Sequence, residues 1–155
     1  MPEPKIGAPA PDFSLPASGD RIVSLGALRG KSIVLYFYPK DSTPGCTLES
    51  QDFQRLSGDF AKLGAVILGV SRDSTASHDR FRAKFGLGFD LLADTDEIVC
   101  RQYDVIREKN MYGRKVMGVE RSTFLIDASG VLREAWRKVK AKGHAAAVLE
   151  HLRTL

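Results

Sequence analysis

Residues 32–38 (SIVLYFY) and 65–70 (AVILGV) are continuous apolar runs of strand length, the pattern of strands buried on both faces. Between them Leu48, Phe53, Leu56, Phe60 and Leu63 recur at helical spacing, which predicts one helix over 47–63. A strand, a helix and a second strand in that order make a β-α-β unit, and such units cross over right-handedly between parallel strands. A central sheet is therefore expected, with 32–38 deep inside it.

The flanking segments extend this frame. The Pro-rich stretch 2–11 reads as an extended lead-in, and 12–18 with 21–25 as short strands about the turn Ser18-Gly19-Asp20. Ser71, Arg72, Asp73 and Ser74 offer N-caps for a helix over 77–85 that Gly86 ends. A short strand is expected at 89–93, then a helix capped by Thr95 and carrying Ile98, Val99 and Tyr103. Segments 123–127 and 131–136, about Ala128-Ser129-Gly130, predict a hairpin. An amphipathic helix over 145–152 closes the chain. The fold class is α/β: a mixed central sheet with helices on both faces and an N-terminal β extension. No repeat, low-complexity tract or linker divides residues 1–155, so one domain is expected, and 155 residues suffice to bury roughly 68–70% of the unfolded surface.

The first strand runs into Pro39-Lys40-Asp41-Ser42-Thr43-Pro44-Gly45-Cys46, a Pro/Gly turn that hands a cysteine to the start of a helix. Open α/β sheets place ligands at the carboxyl ends of central strands. A cysteine is nucleophilic as thiolate, and helix N-termini lower thiol pKa through exposed N–H groups and the positive end of the dipole. Pro44 and Gly45 suit close backbone approach to a small anion better than burial of a side chain. Thr43 offers a hydroxyl that accepts and donates, and Pro39 ends the strand where it can shield the turn. Glu49, one helical turn on, can orient an arginine through a bidentate pair. Arg121, at the start of a predicted strand, is the candidate for that arginine, the alternative being a solvated strand end.

The remaining composition excludes several function classes. Cys46 and Cys100 form no CxxC and have no metal-ligand spacing with His78, His144 or His151, which argues against zinc and CxxC redox chemistry. Neither a signal-peptide core nor an apolar run of about 18 residues is present, so the expected location is the cytosol, away from membranes. A net charge of +4 is mildly basic. Arg133, Arg137, Lys138, Lys140 and Lys142 around Trp136 read as a solvated face rather than a nucleic-acid surface.

Pro39-x-x-x-Thr43-x-x-Cys46 resembles the peroxiredoxin active-site motif. Tyr38-Pro39-Lys40-Asp41-x-Thr43-Pro44-Gly45-Cys46-Thr47 is similar to the version in the bacterioferritin comigratory, or peroxiredoxin Q, subfamily. The likeness continues in Ala8-Pro9-Ala10-Pro11-Asp12-Phe13, in Gly69-Val70-Ser71-x-Asp73-Ser74 with His78, in Leu91-Leu92-Ala93-Asp94 and in Arg121-Ser122-Thr123-Phe124-Leu125-Ile126-Asp127. It implies a thioredoxin-like fold and reduction of hydroperoxides without metal or organic cofactor. By the same resemblance, Cys46 is the peroxidatic nucleophile that becomes sulfenic acid, Thr43 binds the peroxide, Arg121 holds the thiolate and polarises the O–O bond, and Pro39 covers the site, with Glu49, Tyr38 and Gly45 in support.

Many members carry a resolving cysteine where this chain has Gln51, and another group carries it in the next helix, around Arg82. Cys100 is the other thiol, read either as a small apolar core residue or as a resolving group. The expected cycle is of one-cysteine type, with thioredoxin, glutaredoxin with glutathione, or another thiol as reductant, in a monomer. Two rival readings are a cysteine hydrolase, which needs a base beside the nucleophile, and a non-enzymatic chaperone-like or basic binding module on the same fold.

Overall fold

The computed structural model describes residues 4–155; residues 2 and 3 of the expected lead-in lie outside the described residues. The strands are β1 (Ser14–Ala17), β2 (Arg21–Ser24), β3 (Ser32–Phe37), β4 (Ala65–Ser71), β5 (Asp90–Ala93), β6 (Ile106–Met111), β7 (Arg114–Val119), β8 (Ser122–Ile126) and β9 (Leu132–Trp136). Seven form one sheet in the order β2-β1-β5-β4-β3-β8-β9, and β6 with β7 forms a separate ribbon. The helices are α1 (Pro44–Arg55), α2 (Ser57–Lys62), α3 (Thr75–Phe85), α4 (Ile98–Gln102) and α5 (His144–Leu152). The described part of the lead-in bonds along the start of β9, with Gly7 N–H on the Leu132 carbonyl at 2.7 Å and Leu132 N–H on that of Ala8 at 2.9 Å.

Strand β3 is central, parallel to β4 and antiparallel to β8. Its side chains alternate between two cores. Ile33, Leu35 and Phe37 join α4 and the lead-in on one face, whereas Val34 and Tyr36, with Tyr38 beyond them, join Cys46, Phe53, Phe60, Phe81 and α5 on the other. Complete burial of each such apolar side chain contributes roughly 1.5–3 kcal/mol. Gly69 makes room for the second core: a Cβ there would lie 2.8 Å from Leu91 and 2.9 Å from the Tyr36 ring, which stacks on Phe53 at 4.7 Å.

Three expectations are corrected here, and one element is new. The single helix over 47–63 is two, broken at Leu56, and the first begins at Pro44. Proline suits the first helical position because the N–H it lacks would be unpaired there. The apolar spacing continues across the break, so periodicity does not reveal it; Leu48 and Leu63, two of the five residues in that stripe, are each 41% exposed. Thr95 does not cap α4. Asp94 does this from further back, accepting Val99 N–H at 3.2 Å and Cys100 N–H at 2.7 Å. The β6–β7 hairpin is unforeseen because its exposed positions carry no period-two apolar pattern; the signal available was the turn Tyr112-Gly113, both at positive φ. Finally, Arg137 is not merely solvated. Its guanidinium stacks on Phe124 at 5.2 Å and donates to the carbonyls of Asp104 and Tyr103 at 2.8 and 3.0 Å.

The helix over 77–85 begins earlier than expected, at Thr75, with Ser74 as its cap accepting Ser77 N–H at 3.1 Å. Gly86 ends it in the left-handed conformation, φ 64. Among the described residues no helix is long and apolar enough to cross a membrane.

Candidate active site

Sheet register brings the site together. β8 runs antiparallel to β3 with Ser122 opposite Phe37, so the start of β8 lies at the carboxyl end of β3. Arg121 thereby arrives beside the turn that carries Cys46. Its Nη2 donates to Cys46 Sγ at 3.3 Å and its Nη1 to Glu49 Oε1 at 2.6 Å. Cys46 and Glu49 are neighbours on one face of α1, spaced so that a single planar fork spans both. Gly45 permits the approach, since a Cβ there would stand 3.1 Å from Nη2.

Burial and ion pairing oppose each other in this group, and the balance differs between its two charges. Glu49 is fully buried and, among the described residues, its Oε2 has no hydrogen-bond partner. Burial raises its carboxyl to about 7 against the opposing pull of Arg121. For Arg121, burial works against the cation, but Glu49 and Cys46 more than offset it and raise its pKa.

Cys46 itself is 1% exposed. The turn was expected to leave it open, and the structure instead seats it among Val34, Tyr36, Tyr38 and Phe53. It sits in the third helical position of α1, whose cap, Thr43, makes no side-chain capping bond. Thr43 donates instead to the Lys40 carbonyl at 2.8 Å. Its lone pairs remain as acceptors, and the Gly45 and Cys46 N–H groups, in the first turn of α1, have no partner within the helix. Pro39 is half-buried at the strand end.

Two predicted residues lie apart from this group. The Tyr38 hydroxyl turns to Asp41 Oδ1 at 2.6 Å rather than to Cys46. Cys100 is fully buried in the opposite core, so the sheet stands between the two thiols. Burial, reinforced by the neighbouring Asp94 carboxylate, pushes its thiol well above the usual cysteine range. No histidine is hydrogen-bonded to Cys46 among the described residues: His78 binds Asp41 and the Leu92 carbonyl, His144 binds Thr123, and His151 faces Glu134. The hydrolase reading thus lacks its base. Sequence reasoning assigned no role to Asp41 or His78, although both stand in the matched motifs.

Residues 6–135 match the model of the AhpC/TSA family. The chain belongs to that family. Among curated relatives, the peroxiredoxin Bcp of Xanthomonas campestris is 55% identical over 155 residues, 99% of this chain and 97% of that one. The solved Xanthomonas campestris bacterioferritin comigratory protein superposes with a TM-score of 0.88 at 56% identity, covering 92% of this chain and 90% of that one. A cysteine-to-serine variant of Xylella fastidiosa peroxiredoxin Q superposes with a TM-score of 0.93 at 44% identity, covering 99% and 98%. This peroxiredoxin accordingly has the thioredoxin-type fold of its neighbours and is a thiol-dependent peroxidase of the bacterioferritin comigratory branch.

Proposed function

We propose that this peroxiredoxin reduces hydrogen peroxide and organic hydroperoxides through a sulfenic acid on Cys46, and that an external thiol completes the cycle. The Arg121 fork, with one nitrogen on Cys46 Sγ and the other on Glu49, carries this reading. Guanidinium keeps its charge at any working pH, so it stabilises the thiolate before attack and the departing oxygen during it. The Xanthomonas campestris relative is described by its alkyl peroxide reduction activity, which supports the same substrate class here.

In the first step the Cys46 thiolate attacks the terminal peroxide oxygen. An S–O bond forms as the O–O bond breaks, and the electron pair leaves on the second oxygen, which takes a proton from water and departs as water or alcohol. Cys46 is left as sulfenic acid. Thr43, already donating to Lys40, accepts the peroxide O–H, and Pro39 covers the strand end. A thiol then attacks the sulfenic sulfur and releases water, giving a mixed disulfide. A second thiol displaces Cys46 as thiolate and leaves as the oxidised disulfide. With Cys100 on the other face of the sheet, those thiols are external: thioredoxin, glutaredoxin with glutathione, or a small thiol.

The test is peroxide consumption by the parent and by Cys46→Ser with each of the three reductants, alongside mass spectrometry of the trapped oxidised cysteine. The parent turns over and the serine variant does not. Undiminished turnover in Cys46→Ser would refute the assignment and favour a binding module whose peroxide loss is incidental.

A further inference from the structure

The turn between β3 and α1 contains a non-glycine residue in left-handed backbone, Ser42 at φ 62, between Asp41 and Thr43. A side chain with a Cβ disfavours that conformation, which persists where its surroundings over-determine it. The surroundings are a buried polar network. Asp41 is 6% exposed and His78 fully enclosed. Asp41 Oδ2 accepts from His78 Nδ1 at 2.7 Å and from Ser77 Oγ at 2.8 Å, while Oδ1 accepts the Tyr38 hydroxyl. The Asp41 N–H donates to Asp73 Oδ2 at 2.8 Å, itself held by Ser71 Oγ at 2.6 Å.

His78 Nε2 faces the Leu92 carbonyl at 2.9 Å. Both ring nitrogens thus face oxygens, the Asp41 carboxyl on one side and the Leu92 carbonyl on the other. Burial alone would raise the Asp41 carboxyl, but the contacts with His78, Tyr38 and Ser77 hold it below the usual range. The turn is thus pinned to β3 through Tyr38, to the β4–α3 connection through Asp73, to α3 through Ser77 and His78, and onward to β5 through Leu92. Among the described residues no hydrogen bond joins Asp41 or His78 to Cys46, which accepts one from Arg121.

We propose that the buried, hydrogen-bonded Asp41–His78 pair is the positioning device of the active-site turn: it holds Ser42 left-handed so that Thr43 presents its hydroxyl, and α1 its first N–H groups, to the peroxide. This rests on the peroxidase reading of Cys46 and Thr43. The pair acts through the turn and makes no contact with the reacting atoms.

The full chain and its variants Asp41→Asn, His78→Asn, the double variant and Tyr38→Phe test it. Three quantities are measured on each: the single-turnover rate of Cys46 oxidation by hydrogen peroxide, the rate of its alkylation by iodoacetamide, and the thermal midpoint. Misplacing a binding group by about 1 Å costs up to ~100-fold, so oxidation slows by about 10- to 100-fold in both single variants. Alkylation, which needs no bound peroxide, stays as fast or quickens. The double variant is no slower than the slower single one, because either change already frees the turn.

Should the Asp41 and His78 variants not fold, Tyr38→Phe carries the test, since it deletes one hydroxyl from Asp41 and keeps the ring; it slows oxidation less but leaves alkylation unslowed. A parent whose Cys46 does not react with peroxide sinks the peroxidase reading. An active parent with parent-rate oxidation in the folded variants overturns the positioning role. So does an equal fall in oxidation and alkylation, which assigns the pair to folding alone.

Discussion

Replacing Arg121 with lysine keeps the charge and removes the geometry. The native guanidinium reaches Cys46 Sγ at 3.3 Å with one nitrogen and Glu49 Oε1 at 2.6 Å with the other. An ammonium is a point donor on a flexible stem and cannot hold both ends of that fork. If it stays with Glu49, the transition state loses one hydrogen bond to a charged group, about 1.5–3 kcal/mol, which is roughly 10- to 150-fold in rate. If it moves to Cys46, the fully buried Glu49 loses the partner of its Oε1, its Oε2 having none among the described residues. That carboxyl, raised to about 7 by burial, then takes up a proton. Either way the second-order rate of Cys46 oxidation falls by at least about 10-fold, with Arg121→Met lower still. Stopped-flow oxidation at neutral pH, with urea unfolding to verify the fold, measures the effect. Parent-like kinetics in the lysine variant would show that charge alone suffices and that the fork is not the source of the stabilisation.

Gly45→Ala separates stability from activity: alanine gains up to about 1 kcal/mol in a helix, but its Cβ would meet Arg121 Nη2 at 3.1 Å, so the thermal midpoint rises while peroxide kinetics slow several-fold; unchanged kinetics would show that the guanidinium yields freely. Two buried groups should give opposing pH profiles of stability. Native Glu49 holds its proton from 4.5 up to about 7 while the unfolded chain does not, so its contribution falls as pH rises through that window, by about 3 kcal/mol in all at 1.36 kcal/mol per pH unit. Native His144, lowered to about 4 from 6.5 by burial and then by the Arg121 charge, stays neutral where the unfolded chain is protonated, so its contribution rises with pH through its window. Glu49→Gln therefore steepens the gain in stability between pH 5 and 7, and His144→Asn reverses it; parallel urea-unfolding profiles for the three proteins would contradict both shifts. Cys100→Ala should turn over peroxide with an external thiol at close to the parent rate and accumulate sulfenic acid on Cys46. A stoichiometric Cys46–Cys100 disulfide in the oxidised parent, together with lost turnover in the variant, would overturn the one-cysteine cycle.

The local signals were legible wherever one segment carried its own instruction. The apolar runs of β3 and β4, the Ser74 cap and left-handed Gly86 of α3, and the Ala128-Ser129-Gly130 turn each express a preference set within a few residues. Cys46, Thr43 and Glu49 were legible for the same reason, standing in one turn and the helix that follows it. The β6–β7 ribbon was not, because an exposed two-stranded ribbon buries too little apolar surface to imprint a period-two pattern.

The remainder of the site depends on pairs distant in the chain. Arg121 meets Cys46 because β8 is antiparallel to β3 in a register that brings its start to the carboxyl end of β3, and no segment encodes that register by itself. Cys100 is set apart from Cys46 because β3, alternating its side chains between two cores, separates the pockets they occupy. His78 meets Asp41 only once α3 is docked, when its ring nitrogens come to face the Asp41 carboxyl and the Leu92 carbonyl. Local sequence determines which residues stand in a turn and that one of them is a thiol. Charge, exposure and partnership are properties of the space between elements, and the tertiary structure decides them because burial strengthens some contacts and leaves other groups without water.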